Sequence, residues 1–300
     1  VEKPILSLGG VFPPIPTPFE SNGDVACQAL VENLERWNQH ELAGYVVLGS
    51  NGEGVLLTEE EKVRVWKAAR KVIPPDRLML AGTGSESTRQ TIALGRKAAD
   101  EGADAVLVVT PHYYSPKMTS DSLIHHYEAV ADSSAVPVLI YNVPKFTHVN
   151  VDASTMARLS EHPNIIGAKD TSGDISQLAD TVRLAVPGFQ LLAGSASFFL
   201  AGLGLGAVGG ILALAVIAPD KAIEIYRLFK GNLWDEAADL QRRMLPVNAA
   251  VTAGFGIAGL KAALEMLGYH GGPVRSPLLD SDAVERETLR GILVEGGILQ

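Results

Sequence analysis

In the stretch NIIGAKDTSGD (Asn164–Asp174), an apolar run leads directly into Lys169, and small polar residues follow at once. A lysine ending a strand commonly lifts its ammonium into water or pairs with a carboxylate. Held short of water, the same amine can attack a carbonyl carbon and form a Schiff base. That chemistry needs the unprotonated amine, and a free lysine with a pKa of about 10.4 is neutral in only about one molecule in three thousand at pH 7. Desolvation moves that balance by up to about 3–5 pKa units. Strand alternation predicts Ile165, Gly167 and Lys169 on one face, with Gly167 leaving room for the lysine stem. The preceding apolar run, VPVLIY, ends in Tyr141, a phenol able to relay protons while an imine forms and a carbon–carbon bond breaks or joins.

GSNGEG (Gly49–Gly54) is a second candidate. Its glycines and Asn-Gly pair let backbone amides and the Ser50 hydroxyl converge on a carboxylate, although a capped β-to-α turn has the same composition. VVTPHYYSP (Val108–Pro116) places adjacent tyrosines in a proline-bounded loop, as packing or a subunit contact also would. Other motifs fail on context. Gly204, Gly206 and Gly209 satisfy G-x-G-x-x-G but lead into a strand instead of following one. His125 and His126 are adjacent, hence on different sides of a helix, and make a poor metal pair.

The elements that must position these groups are legible as alternation. Eight apolar runs read as strands: Gly10–Pro16, Gly44–Gly49, Leu78–Thr83, Asp104–Thr110, Val136–Tyr141, Asn164–Lys169, Phe189–Gly194 and Ala207–Leu212. Most are continuously apolar, as for strands covered on both faces of a parallel sheet. Helical patterns intervene, among them Thr58–Ile73, with Thr58 and Glu61 in capping-box spacing, and Ser87–Gly102. The expected fold is α/β, a (β/α)8 TIM barrel over residues 1–232, with a packed appendage of about three helices over 233–300. Active sites of such barrels lie at the C-terminal ends of the strands. Those ends are Thr17, Ser50 with Asn51, Thr83, Thr110, Tyr141, Lys169, and Gly194 with Ser195. Tyr141 and Lys169, on sequential strands, should be neighbours.

Composition excludes several classes. A net charge of -9 argues against nucleic acid or an anionic membrane as partner. Cys27 is the single cysteine, so there is no internal disulfide framework and no cysteine-based metal site. The N-terminal stretch VEKPILSLGG has neither a basic n-region nor a long apolar h-region, and a cytoplasmic location is expected. Leu184–Pro219 carries no charge, but glycines punctuate it and it reads as buried α/β elements, not as a membrane span.

Taken in order and spacing, GSNGE, VTPHYY, YNVP and GAKDTSGD resemble the dihydrodipicolinate synthase / N-acetylneuraminate lyase superfamily over nearly the whole chain. Within it the likeness is strongest to 4-hydroxy-2-oxoglutarate aldolases, through SLIHHYEAVAD, LSEHPNIIGAKD, LLAGSASFFLAGLGLGAVGG, PVNAAVT and GYHGGPVRSPL. The resemblance implies an imine between Lys169 and a 2-oxo acid, with Tyr141 as proton shuttle. It implies Ser50 and Asn51 on the pyruvate carboxylate, and Thr171, Gly194 and Ser195 around the substrate. It also implies a homotetramer, a dimer of dimers, in which Tyr113 reaches a neighbouring subunit's site. No metal or organic cofactor is implied; the partners are pyruvate and an aldehyde.

Departures narrow the substrate. Dihydrodipicolinate synthases usually carry an arginine two residues after the YNVP proline, where this chain has Phe146; His148 replaces a customary glycine. GSAS after the seventh strand lacks the acidic residues of sialic acid lyases. The expected reaction is cleavage of 4-hydroxy-2-oxoglutarate to pyruvate and glyoxylate. Dihydrodipicolinate synthesis, 2-keto-3-deoxy sugar acid cleavage and a non-catalytic 2-oxo acid binding barrel are the alternatives.

Overall fold

The computed structural model describes residues 6–300; the first part of VEKPILSLGG, residues 1–5, lies outside the described residues. Nine strand segments, β1 (Gly10–Phe12), β2 (Pro14–Ile15), β3 (Gly44–Val47), β4 (Leu78–Gly82), β5 (Ala105–Val109), β6 (Val138–Asn142), β7 (Ile165–Asp170), β8 (Gln190–Ala193) and β9 (Gly209–Ile211), form one sheet. Every pairing is parallel. β1 pairs with β9 and β2 with β3, so the run expected as one strand is a single stave that changes neighbours at Pro13. Proline has no N–H to donate, and here its carbonyl accepts the Val46 N–H at 3.0 Å. The nine segments therefore make the eight staves of a closed barrel.

Each stave sends one large apolar residue inward. Phe12, Val46, Leu80, Leu107, Leu139, Ile166, Leu192 and Ile211 form one buried cluster that plugs the barrel below its mouth. The opposite strand faces pack under the surrounding helices, which explains why the runs are continuously apolar. The capping box at Thr58 and Glu61 forms as its spacing predicts, and starts the helix Glu59–Arg70. Three C-terminal helices, Trp234–Ala249, Gly256–Met266 and Ala283–Glu295, add Leu240, Leu260 and Leu289 to the same outer core. The uncharged stretch from Leu184 is divided among β8, β9 and short helices, and among the described residues no helix is long and apolar enough to cross a membrane.

Two expectations about β7 are corrected. The β6–β7 register shifts between Val138 and Leu139: Val138 faces Ile165, but Leu139 faces Gly167. This bulge breaks simple alternation. Ile165 and Ala168 join the outer core and Ile166 the inner one, so Ile165 does not share the Lys169 face. Nor does Gly167 make room for the lysine stem. A Cβ there would lie 2.2 Å from the Gln190 carbonyl oxygen, so the glycine lets the backbones of β7 and β8 approach.

His126, on the helix Ser120–Ser133, is buried, with Nδ1 2.9 Å from Thr88 Oγ1 and Nε2 unpartnered. Burial, and secondarily the neighbouring His125, lower its pKa from 6.5 to about 4. Because the folded-state value is depressed, the neutral ring's contribution is complete above about pH 6.5 and is lost as pH falls toward 4. The fall between those limits is at most about 3 kcal/mol. In urea titrations, His126→Phe should flatten the stability–pH curve over this window; an unchanged slope would remove His126 from the acid response.

Candidate active site

The register that corrects β7 also sets the centre of the site. Tyr141 of β6 lies directly beside Lys169 of β7. Both side chains are about 5% exposed, and Lys169 Nζ sits 4.0 Å from the centroid of the Tyr141 ring. Tyr141 Oη in turn lies 3.1 Å from Ser50 Oγ. Among the described residues no carboxylate pairs with Lys169. A second buried lysine, Lys261, is paired with Glu53 at 2.6 Å. An amine facing an aromatic ring and a phenol–hydroxyl pair, with no counter-ion, is placed for nucleophilic attack with a proton relay at hand.

The turn after β3 brings Ser50 and Asn51 to this centre. Ser50–Gly52 is a single 3-10 turn, followed by Glu53 in the left-handed region at φ 54. Thr17 Oγ1 donates to the Gly52 carbonyl at 2.7 Å. A Cβ on Gly54 would lie 2.5 Å from the Leu48 carbonyl oxygen, so glycine is what lets the turn fold back on its strand. In such a turn the leading N–H groups have no partner within the helix, which leaves donors for an anion.

Ser50, Asn51, Tyr141 and Lys169 open into a cavity of about 710 Å³. Thr171, Gly194 and Ser195 also line it, together with Ser172, Ser197 and Phe198. Thr171 Oγ1 is buried without a partner. The Gly194 N–H is already bonded to the Asp170 carbonyl at 2.7 Å, and a Cβ there would lie 2.1 Å from Thr171 Oγ1. Gly194 therefore serves the site by its small size. Phe146 and Lys145 line the cavity from the short helix Pro144–Thr147, which ends on His148 at φ 53. That left-handed backbone accounts for the glycine customary at this position.

Tyr113 is not brought into the cavity. It is 76% exposed and packs edge-on against Tyr114, its ring 5.0 Å away. Glu86 fixes this loop by accepting the His112 and Tyr113 N–H groups at 3.0 and 2.8 Å.

Several lining residues were not singled out from sequence. Asn248 is buried, its Nδ2 3.5 Å from Ser195 Oγ and its Oδ1 unpartnered. It precedes a π-helical turn, Ala250–Gly254, which carries Val251 and Thr252 to the cavity. The only signal was PVNAAVT, whose asparagine has no chemistry of its own until the appendage packs over the mouth. Behind the lysine, fully buried Asp170 accepts the Ser172 N–H at 2.6 Å and Gln177 Nε2 at 2.9 Å, and approaches Asn142 Nδ2 at 3.4 Å. Asn142 follows Tyr141 and Asp170 follows Lys169, so this amide–carboxylate cluster ties the two strands together on the face opposite the site.

A family model of the dihydrodipicolinate synthetase family matches residues 7–295. A 4-hydroxy-tetrahydrodipicolinate synthase of Methanothrix thermoacetophila is 36% identical over 287 residues, covering 95% of this chain and 96% of the relative. An uncharacterized DapA-like lyase of Halobacterium salinarum is 35% identical, covering 98% and 96%. Among solved structures, dihydrodipicolinate synthase DapA-2 of Bacillus anthracis superposes with a TM-score of 0.93 at 29% identity, covering 97% of this chain and 99% of that one. YagE of Escherichia coli K12, a prophage protein of the dihydrodipicolinic acid synthase family solved with pyruvate, gives 0.91 at 26%, covering 97% and 99%.

Because β7 and β8 touch at Gly167, Gly167→Ala should force the strands beneath Lys169 apart and cost at least about 2 kcal/mol in denaturant unfolding. An unchanged unfolding midpoint would contradict the close approach.

Proposed function

The chain belongs to the dihydrodipicolinate synthetase family, and on that premise we propose that it is a class I aldolase, a carbon–carbon lyase that cleaves or forms a 4-hydroxy-2-oxo acid through a Lys169 imine. The observation that carries the reading is the buried lysine with no carboxylate partner among the described residues, 4.0 Å from the Tyr141 ring. In the cleavage direction the Lys169 amine adds to the C2 carbonyl, and the carbinolamine loses water to give the imine. The C4 hydroxyl then gives up its proton, the C3–C4 bond breaks, and the aldehyde departs. The electron pair is left as an enamine, which takes a proton at C3. Water adds back at C2 to release pyruvate and free lysine. Tyr141, within reach of Ser50, moves protons in the carbinolamine and cleavage steps, while Ser50 and Asn51 hold the C1 carboxylate. The imine itself is the electron sink, so this route calls for no metal or organic cofactor.

For the aldehyde end, the reading we favour is 4-hydroxy-2-oxoglutarate, split to pyruvate and glyoxylate. Phe146 stands where synthases of aspartate-semialdehyde type usually hold an arginine, and among the described residues that line the cavity Lys145 is the cation left to meet the carboxylate at the glyoxylate end. A 3-deoxy-2-oxo sugar acid is the second reading, favoured by the uncharged cluster of Ser195, Ser197 and Asn248, which suits hydroxyl groups better than a carboxylate. Exposure of Tyr113 fits a site completed by a second subunit in a dimer of dimers.

Borohydride reduction in the presence of pyruvate should add about 72 Da to the peptide containing Lys169, with no adduct in Lys169→Met. Cleavage assays should rank 4-hydroxy-2-oxoglutarate first and give little condensation of pyruvate with aspartate semialdehyde. Absence of the adduct in wild type would overturn the mechanism, and a reversed ranking would overturn the substrate.

A further inference from the structure

Glu53 is the last polar residue of the β3 turn, and it does not face the substrate cavity. It is 1% exposed and left-handed, a backbone state unfavourable for a residue with a Cβ. What holds it there comes from the far end of the chain. Its Oε1 lies 2.6 Å from Lys261 Nζ on the helix Gly256–Met266, and its Oε2 accepts the Arg275 N–H at 2.8 Å. Lys261 also donates to the Pro273 carbonyl at 2.7 Å. The Arg275 guanidinium is bidentate to Glu61, at 2.6 and 2.8 Å, in the first turn of the helix that follows the site turn. Both cations face the Phe19 ring at 4.3 Å. A few residues beyond Arg275, Leu278 and Leu279 line the mouth of the cavity.

The charges are thus arranged across one boundary, with carboxylates on the barrel and cations on the appendage. Glu53 adjoins the Ser50–Gly52 turn on its C-terminal side, its own N–H donating to the Ser50 carbonyl at 3.1 Å. Pulling on its carboxylate therefore acts on the turn that carries Ser50 and Asn51. We propose that Glu53 is a positioning residue: clamped by Lys261 and Arg275, it fixes the Ser50–Asn51 turn in its anion-binding shape, so that the C-terminal appendage sets affinity for the 2-oxo acid carboxylate. The affinity part rests on the assignment of Ser50 and Asn51 to the pyruvate carboxylate.

The test compares Glu53→Gln, Lys261→Met and the double variant in the full-length protein, with three readouts: thermal midpoint, pyruvate concentration for half-maximal borohydride trapping, and hydrogen exchange of the peptide spanning residues 48–57. Each single variant leaves one buried charge uncompensated and should lower the midpoint. The double variant removes both charges and should recover it. If the clamp positions the turn, half-saturating pyruvate in the double variant stays raised at least about tenfold. Exchange in 48–57 remains fast while peptides covering β6 and β7 keep wild-type protection. Wild-type exchange and wild-type pyruvate dependence in the double variant would overturn the proposal and leave the pair a purely structural one. Failure of pyruvate to label even the wild type would overturn the aldolase reading instead, and the exchange arm would still decide whether Glu53 holds the turn.

Discussion

The structure depends on the parallel pairing of β6 and β7 inside a closed barrel. Parallel neighbours present equivalent positions side by side, and closure forces one face of every stave into a common interior. Tyr141 and Lys169 are therefore brought together by backbone hydrogen bonds, before any contact between the side chains themselves. Below them the apolar plug excludes water, and on the opposite strand face Asn142, Asp170 and Gln177 tie the same two strands. The pair is held from below and from behind by groups that take no part in its chemistry.

Among the described residues, two buried lysines show how one residue type serves opposite ends. Lys261 is enclosed with Glu53 and carries Arg275 and Phe19 as neighbours, so its ammonium is matched and the contact ties the appendage to the barrel. Burial lowers its pKa, and the adjoining Glu53 carboxylate opposes that shift. Lys169 has an aromatic ring where Lys261 has a carboxylate. A fold that pairs one buried lysine with a carboxylate and turns the other toward the cavity separates stability from reactivity.

Much of this was legible in the sequence because it is periodic or local. Continuous apolar runs identified the staves, Thr58 and Glu61 identified a helix start, and strand counting brought Tyr141 to Lys169. The bulge in β7 was not legible, since it is created by pairing with β6 and leaves no local signature. Gly167 and Gly194 were assigned roles beside their sequence neighbours, but each is set by backbone or side-chain atoms across a strand boundary. Glu53, Lys261, Arg275 and Asn248 were silent for a related reason. Their meaning arises from contacts between the appendage and the barrel mouth, hundreds of positions apart in the case of Glu53 and Arg275.

The central claim is that Lys169 and Tyr141 act as one imine-forming unit. Nuclear magnetic resonance of pyruvate in deuterated water, with enzyme and no aldehyde, tests it directly, because enamine formation exchanges the methyl protons. Wild type should exchange them, Lys169→Met should not, and Tyr141→Phe should be slower by about 100-fold or more, within the usual range for loss of a general acid–base. Exchange in Lys169→Met at the wild-type rate, or none in wild type, would contradict the account.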